Sequence, residues 1–288
     1  MIDSVVFDLD GTLWDTSATC AIGWNRVLDR HGIAFRPITE HDVRRVTGQP
    51  HDACIREVFA GLPEAHVLTL MAETQLEDNK LVAQLGGELF PHVEAGLRRL
   101  AARYPLFIVS NCQAGYIEAF IQWSGLRACF RDFECWGNTG FTKAGNLRAL
   151  VERNRIRHPL FVGDTPGDQA AARECGVPFL YVDYGFGVCR DVDRRFSSFA
   201  DLTTWLLDPI PPHALSPARG QGASSDQGSR SGRRMRRGSK RPVPGTRRRE
   251  LRARMEPSRT GATDACRVVV STPAASVDLT YCPAGPPT

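Results

Sequence analysis

The sequence VVFDLDGT, from Val5 to Thr12, lies near the start of the 288-residue chain and decides its fold. Its leading apolar residues are rich in β-formers and predict a buried strand over residues 4–9. That strand runs into two carboxylates, Asp8 and Asp10, which repel each other unless a positive charge compensates for them. A buried strand that ends in two such acids predicts a site where a cation or a reacting group is bound.

Short apolar strands alternate with helices through the second part of the chain. Strands are predicted at 105–110, 130–134, 159–163 and 178–182, and helices at 92–103, 114–124, 144–154, 167–175 and 200–207. Strands separated by helices of this length form right-handed βαβ units and a parallel sheet covered on both faces. We therefore expect the α/β class: a doubly wound, Rossmann-like parallel sheet built from residues 1–15 and 89–208.

The section 16–88 has a helical pattern, with breaks at Gly48-Gln49-Pro50 and Gly61-Leu62-Pro63. It separates the first strand from the next strand and is too long for a simple crossover. We interpret it as a helical cap inserted into the α/β core.

The charge is distributed unevenly along the chain. Residues 209–288 contain 14 Arg and one Lys against five acids, whereas residues 1–208 contain 21 basic and 27 acidic residues. The segment 209–288 is rich in Arg, Pro, Gly and Ser and is predicted to be a disordered basic tail, with one possible strand at 267–271 that has no evident partner. Such a tail could attract nucleic acid through phosphate contacts, could aid solubility or targeting, or could be non-native coding.

The nine cysteines are scattered, odd in number and lack a C-x-x-C pair. This spacing is typical of reduced thiols rather than of a zinc site or a disulfide framework. The N-terminal residues do not resemble a signal peptide, and the sequence has no apolar run of membrane-spanning length. We therefore expect a cytoplasmic protein that does not cross a membrane.

Several polar side chains follow the predicted strands or open the helices between them. In a parallel α/β sheet these strand ends converge, so we expect one shared site formed by Asp8, Asp10, Ser110, Lys143, Asp164 and Asp168. The clustered carboxylates suit Mg²⁺, which would offset part of their charge. One carboxylate can then attack phosphorus while a second, two residues further on, transfers the proton. Lysine is rare in this Arg-rich chain, and Lys143 offers the positive charge that phosphoryl transfer requires.

The motifs "DLDGT", "SN", a lone Lys and "GDTPGD" stand in this order along the chain and resemble the haloacid dehalogenase superfamily of phosphatases. The helical cap just after the first motif is similar to that of the phosphoglycolate phosphatase and β-phosphoglucomutase group. The resemblance covers residues 4 to about 207. It implies a Mg²⁺-dependent phosphatase that hydrolyses a small, phosphoglycolate-like monoester through an aspartyl-phosphate intermediate.

Residue by residue, the resemblance implies that Asp8 is the nucleophile and Asp10 the general acid and base. It implies phosphate binding by Thr12, Ser110, Asn111 and Lys143, and Mg²⁺ binding by Asp8, the Asp10 backbone carbonyl and Asp164, with Asp168 ordering the metal shell. Asp164 and Asp168 can equally be a strand end and a helix N-terminal acid.

The sequence RRVTGQP, from Arg44 to Pro50, resembles the substrate-specificity loop of the group, which implicates Arg44, Arg45 and Gly48 in substrate selection. Arg44 and Arg45 can equally be ordinary solvent-exposed charges on a helix, without a role in substrate binding. Two alternative functions stay open: a sugar-phosphate mutase, which returns the phosphoryl group to the substrate, and a nucleic-acid-binding protein that acts through the basic tail. Thr12 matches the phosphatase form, and Asp10 favours phosphate chemistry over dehalogenation.

Overall fold

A computed structural model describes residues 2–192, 194–208, 268–272 and 275–279. The chain divides into two units, Met1–Ser225 and Asp226–Thr288. In chain order, the elements of the first unit are β1 (Ser4–Phe7), β2 (Trp14–Asp15), α1 (Ser17–Arg30), α2 (Glu40–Val46), α3 (His51–Val58), α4 (Glu64–Leu85), β3 (Glu88–Leu89), α5 (Val93–Ala101), β4 (Leu106–Ser110), α6 (Tyr116–Ser124), β5 (Phe130–Cys135), α7 (Trp136–Thr139), α8 (Lys143–Arg153), β6 (Pro159–Gly163), α9 (Pro166–Cys175), β7 (Phe179–Val182), β8 (Arg195–Phe196) and α10 (Phe199–Leu207).

The strand β1 lies inside a six-stranded sheet with the order β5-β4-β1-β6-β7-β8, in which every neighbouring pair is parallel. Val5 of β1 lies opposite Leu106 of β4 on one side and opposite Leu160 of β6 on the other. The prediction of a doubly wound parallel sheet is therefore confirmed. The short edge strand β8 was not predicted, because its two residues carry no pattern.

Helices cover both faces of β1. Phe7 packs against Phe199 of α10, with ring centroids 5.9 Å apart, within the larger apolar core. Val6 points to the other face, where it joins a second cluster with Leu147 of α8 and Ala172 of α9. A strand buried on both faces must be apolar throughout, which explains the unbroken hydrophobic run before Asp8. We refer to this sheet and helices α5 to α10 as the α/β core.

Helices α1 to α4, here called the helical insert, interrupt the α/β core between β2 and β3. The two short strands pair antiparallel, with Trp14 opposite Leu89, so the chain leaves and re-enters the core at one place. Within the insert α1 packs along α4, and Arg30 of α1 forms ion pairs with Glu73 at 3.0 Å and Glu77 at 2.7 Å. The sequence expectation of a helical segment over 16–88 corresponds to this insert.

In the second unit, Val268–Thr272 (β9) and Ala275–Leu279 (β10) form an antiparallel pair. The strand expected at 267–271 thus has a partner that the sequence pattern did not reveal. These ten residues are the part of the tail beyond the first unit that the structure describes. The arginine-rich remainder of 209–288, on which the nucleic-acid alternative depends, lies outside the described residues. No helix within the described ranges is long and apolar enough to cross a membrane.

Candidate active site

The carboxyl ends of β1, β4 and β6 bring the predicted site residues together. Asp8 follows β1 directly and is only 2% exposed, and Lys143 at the start of α8 is buried beside it. The Lys143 ammonium donates hydrogen bonds to Asp8 Oδ1 at 2.7 Å and to Asp168 Oδ1 at 2.6 Å. One buried cation therefore bridges acids from two separate motifs, as the convergence of strand ends predicts.

Lys143 is charged in this position. Burial alone would lower the pKa of its ammonium, but the carboxylates of Asp168 and Asp8 outweigh burial and raise the pKa above its usual range. Burial, the charge of Asp168 and that of Asp164 raise the pKa of Asp8, against the opposing effect of Lys143. The site thus holds more negative charge than its single lysine can balance.

The side chains present fit a divalent cation. One oxygen from each of Asp8, Asp164 and Asp168 lies within 4.8 Å of the others, and all three residues are buried. The second oxygen of Asp8, Oδ2, is buried without a hydrogen-bond partner among the described residues. A buried carboxylate oxygen without a donor is unfavourable, whereas three hard oxygen ligands are what Mg²⁺ takes. The Asp8, Asp164 and Asp168 trio could therefore hold the metal that the sequence predicts.

Asp164 is held in place by the loop that follows β7 and by the first motif. Its Oδ2 accepts a hydrogen bond from the Phe186 backbone N–H at 2.7 Å, and its Oδ1 accepts one from Thr12 Oγ1 at 3.2 Å. Burial and the charge of Asp168 raise the pKa of Asp164 to about 7. Thr12 was predicted to bind phosphate, but the structure places its hydroxyl on this carboxylate.

The glycine of the DLDGT motif is required by this close packing. Gly11 has a φ of +85°, and a Cβ at this position would lie 2.3 Å from Asp164 Oδ2. Both the backbone conformation and the space exclude a side chain, which explains why glycine follows the two aspartates.

Asp168 combines a helix-capping role with a position in the buried carboxylate trio. Its Oδ2 accepts hydrogen bonds from the backbone N–H and the hydroxyl of Thr165 in a capping box at the start of α9. Its Oδ1 accepts from Lys143. The residue is therefore a helix-capping acid and a member of the carboxylate trio at once.

Asp10 has a different environment from Asp8. Its Oδ1 accepts hydrogen bonds from the Tyr116 hydroxyl at 3.0 Å and from Thr16 Oγ1 at 3.4 Å. Burial raises the pKa of Asp10 to about 6, although the Tyr116 hydrogen bond opposes the shift. A carboxyl group with a pKa close to neutrality can both donate and accept a proton at the working pH. Tyr116 was not predicted, because no motif marks the start of α6.

A cavity of about 550 Å³, part of it open to solvent, lies between these strand ends and the helical insert. From the α/β core, Asp8, Asp10, Ser110, Asn111 and Lys143 line it. The Ser110 hydroxyl accepts a hydrogen bond from the Cys112 backbone N–H at 3.2 Å. Asn111, predicted to bind phosphate, donates instead to the Gly48 carbonyl at 2.7 Å and so connects the core to the insert.

Of the three residues predicted to select the substrate, one lies at the cavity and two lie outside it. Gly48 lines the cavity, but neither arginine does. Arg44 forms ion pairs with Asp15 at 2.7 Å and Glu40 at 3.2 Å, and Arg45 pairs with Glu57. Both guanidinium groups are therefore held by acids on the surface, which agrees with their alternative interpretation as solvated helix charges.

The insert contributes a second group of cavity residues that sequence reasoning missed: Cys20, Trp24, His51, Cys54 and Asp78. They come from α1, α3 and α4, and each is separated in the chain from the motifs of the core. Nothing in their local sequence distinguishes them from the apolar and polar positions of any packed helix. Their shared location becomes visible only once the insert is folded over the strand ends.

Comparison with known proteins agrees with the fold and the site. Residues 5–182 match the family model of haloacid dehalogenase-like hydrolases. Among curated proteins, the chain is similar to the phosphoglycolate phosphatase of Rhodospirillum rubrum, 30% identical over 229 residues (73% of this chain, 93% of the relative). It is also 30% identical over 210 residues to that of Synechococcus elongatus (72% of this chain, 93% of the relative).

Solved structures share the fold. A predicted phosphoglycolate phosphatase from Haemophilus somnus superposes with a TM-score of 0.62 at 20% identity, covering 70% of this chain and 97% of that one. A haloacid dehalogenase-like hydrolase from Bacteroides fragilis gives 0.61 at 22% identity, covering 70% and 100%. The chain therefore belongs to the haloacid dehalogenase-like hydrolase family, and the resemblance inferred from its four motifs is confirmed.

Proposed function

We propose that this chain is a Mg²⁺-dependent phosphatase that hydrolyses a small phosphate monoester through an aspartyl-phosphate on Asp8. The observation that carries the proposal is the contrast between the two acids of DLDGT. Asp8 is buried, with one oxygen on Lys143 and the other without a hydrogen-bond partner among the residues that the structure describes. Asp10 is held by Tyr116, and its pKa is about 6. The family match to haloacid dehalogenase-like hydrolases and the curated phosphoglycolate phosphatase relatives support the proposal.

In the first step a carboxylate oxygen of Asp8 attacks phosphorus, and the bond from phosphorus to the leaving oxygen breaks. Asp10, in its acid form, gives its proton to that oxygen as the alcohol departs. In the second step water attacks the phosphorus of the aspartyl-phosphate, Asp10 takes the proton from water, and the bond to Asp8 breaks. The products are the alcohol, inorganic phosphate and the original enzyme.

The remaining residues of the cavity stabilise the phosphoryl group. Lys143 and the Ser110 hydroxyl supply a positive charge and a hydrogen-bond donor near the attacked phosphorus. Asp164 and Asp168, with Asp8 and the Asp10 carbonyl, would hold Mg²⁺, which supplies further positive charge against the phosphate oxygens. The acidic trio supports this assignment, as does Asp8 Oδ2, which has no hydrogen-bond partner in the described part of the chain.

We also propose that the helical insert acts as the cap expected over residues 16–88 and excludes water while the first step occurs. The names of the curated relatives, phosphoglycolate phosphatases, support a small phosphomonoester as the substrate. The seven described cysteines are free thiols, which supports the expected cytoplasmic location.

The test is release of inorganic phosphate from a panel of small phosphomonoesters, with Mg²⁺ or with EDTA. Asp8→Asn should abolish release, and Asp29→Asn, an exposed acid on α1, is the matched control. Full activity in Asp8→Asn or in EDTA would refute the mechanism. One phosphate released per substrate consumed would exclude the mutase alternative. No contact among the described residues favours that alternative.

A further inference from the structure

The wall that the helical insert gives to the cavity contains a carboxyl group but no cation. Asp78 of α4, Trp24 of α1 and His51 of α3 line this wall. Apart from His51, the only basic side chain lining the cavity in the described part of the chain is Lys143. Lys143 belongs to the core and is already bound to two carboxylates. A second negative charge on a substrate would therefore find no counterion at the insert.

Asp78 has unused hydrogen-bonding capacity. It is 2% exposed, and its Oδ2 accepts a hydrogen bond from Trp24 Nε1 at 3.0 Å. Its Oδ1 is buried with no hydrogen-bond partner among the described residues. Burial raises the pKa of Asp78 to about 8, so at neutral pH this carboxyl group is mostly protonated and can donate as well as accept.

His51 beside it is uncharged. Its Nε2 lies 3.1 Å from Thr74 Oγ1 and 3.8 Å from Asp78 Oδ2. Burial lowers the pKa of His51 to about 4, so the imidazole carries no positive charge at neutral pH. A neutral imidazole beside a protonated carboxyl group is suited to hydroxyl groups, which both donate and accept hydrogen bonds.

The two arginines that the sequence implicated in substrate selection do not change this balance. Arg44 and Arg45 are 46% and 44% exposed and are engaged by Asp15, Glu40 and Glu57 outside the cavity. A substrate carboxylate placed against the insert would lose its hydration without gaining a cation, which is costly in a buried site.

We propose that the substrate is a phosphomonoester whose leaving group is an uncharged, hydroxyl-bearing alcohol, and that Asp78 determines this specificity by hydrogen-bonding a hydroxyl of that group. The inference rests on the proposed phosphatase function and narrows its substrate class. It predicts that phosphoglycolate, whose leaving group carries a carboxylate, is a poor substrate. Selection of this kind depends as much on rejecting the charged competitor as on binding the correct substrate.

The test compares 2-hydroxyethyl phosphate with 2-phosphoglycolate. The two esters have the same chain length, but the first ends in a hydroxyl group and the second in a carboxylate. We expect kcat/KM of the wild-type protein to be at least tenfold higher for the hydroxyethyl ester. Asp78→Leu, which keeps the side-chain volume, should reduce this ratio about tenfold. Asp78→Asn keeps an acceptor for Trp24 and a donor for the substrate and should retain the preference. Glu77→Gln, a neighbouring acid of α4 that does not line the cavity, is the matched control.

Binding of both esters to the Asp8→Asn protein, measured by calorimetry, separates recognition from chemistry. Tighter binding of the hydroxyethyl ester without turnover in the wild type would refute the proposed function and leave only the recognition of a hydroxyl group by Asp78 standing. Turnover of both esters, with phosphoglycolate equal or preferred, would overturn the inference and leave the phosphatase function standing. A folded Asp78→Leu protein with an unchanged ratio of kcat/KM for the two esters would do the same. If Asp78→Leu does not fold, the wild-type preference and the binding ratio decide the matter.

Discussion

The Tyr116 hydroxyl donates a hydrogen bond of 3.0 Å to Asp10 Oδ1, and the same hydroxyl lies 2.6 Å from Thr16 Oγ1. A residue from the first helix after β4 thus orients the second acid of the DLDGT motif, which lies 106 positions earlier in the chain. Because the bond is made to the carboxylate, it stabilises the charged form of Asp10 and lowers the pKa that burial raises.

Tyr116→Phe should therefore raise the pKa of Asp10 above its value of about 6. Proton donation to the leaving alcohol requires the acid form, so the fall of kcat/KM on the alkaline side should begin at higher pH. A hydrogen bond to a charged group is worth about 1.5 kcal/mol or more, which corresponds to a shift of about 1 pH unit. The measurement is the pH profile of kcat/KM.

The matched control for this change is Tyr104→Phe. The Tyr104 hydroxyl donates to the Leu206 carbonyl at 2.9 Å, outside the cavity, so its loss should leave the pH profile in place. An alkaline limb that does not move in Tyr116→Phe would show that Asp10 is not the group that controls it.

Lys143 is the buried cation between Asp8 and Asp168, and its removal leaves both acids without compensation. We expect Lys143→Met to lower kcat about 100-fold or more and to destabilise the fold by about 3 kcal/mol. Lys143→Arg should not restore activity, because a planar guanidinium does not fit the space of a compact ammonium. Phosphate release and thermal unfolding measure the two effects.

Lys80→Met is the control for Lys143→Met, since Lys80 is an exposed lysine on α4. It should behave as the wild type in both assays. Near-normal turnover in folded Lys143→Met would remove Lys143 from the phosphate-binding role.

The sequence predicted the parts of the site that local pattern determines. Asp8, Ser110 and Asp164 follow apolar strands, and a parallel sheet brings such strand ends together without further information. Gly11 was predictable as part of a turn, although its packing against Asp164 was not.

The remaining site residues depend on how helices pack, which no short pattern encodes. Tyr116 and Asp78 both line the cavity, and their helices, α6 and α4, pack against each other. Arg44 is held outside the cavity by Asp15 of β2 and Glu40 of α2. Asn111 was expected to meet phosphate, but its amide donates to Gly48 of the insert. Asp15 is 29 positions from Arg44 and Gly48 is 63 positions from Asn111, so a local pattern does not reveal these contacts.

Asn111 and Asn79 make hydrogen bonds of similar length between the insert and the core. Asn111 donates to the Gly48 carbonyl at 2.7 Å, and Asn79 of α4 donates to the Ala114 carbonyl, also at 2.7 Å. If these bonds hold the insert closed, Asn111→Ala and Asn79→Ala should each raise KM several-fold, because each removes one hydrogen bond worth about 1 kcal/mol. Steady-state kinetics and hydrogen exchange of α4 are the measurements.

The pair of variants distinguishes closure from direct substrate contact. Asn79 does not line the cavity, so an effect on KM in Asn79→Ala does not come from lost contact with the substrate; it acts through the bonds of Asn79 to the Ala114 carbonyl and to Gln113, a core residue of the cavity wall. A rise in KM confined to Asn111→Ala would instead favour the phosphate contact predicted from the sequence.

Asp42 stabilises the start of α2 through an ion pair and a capping box. Arg36 donates to both of its oxygens at 2.6 and 2.7 Å, and the Thr39 backbone N–H donates at 2.9 Å. The Arg36 hydrogen bonds hold the pKa of Asp42 well below its usual range, against the opposing effect of burial. Since the folded pKa is lower than the unfolded value of about 4, the contribution to stability is complete above that pH and declines as the pH falls through and below it.

Asp42→Asn should therefore lower the free energy of unfolding at pH 7. The loss should be only about 1 kcal/mol, because the Arg36 side chain is largely exposed and solvent weakens its ion pair with Asp42. For a unit of this size the change corresponds to about 2–4 °C in Tm. The difference from the wild type should shrink in acid, where Asp42 becomes protonated. Asp52→Asn in the first turn of α3, whose carboxylate has no ion pair with the described residues, is the control. A Tm difference that grows as the pH falls below 4 would contradict the assigned role of Asp42.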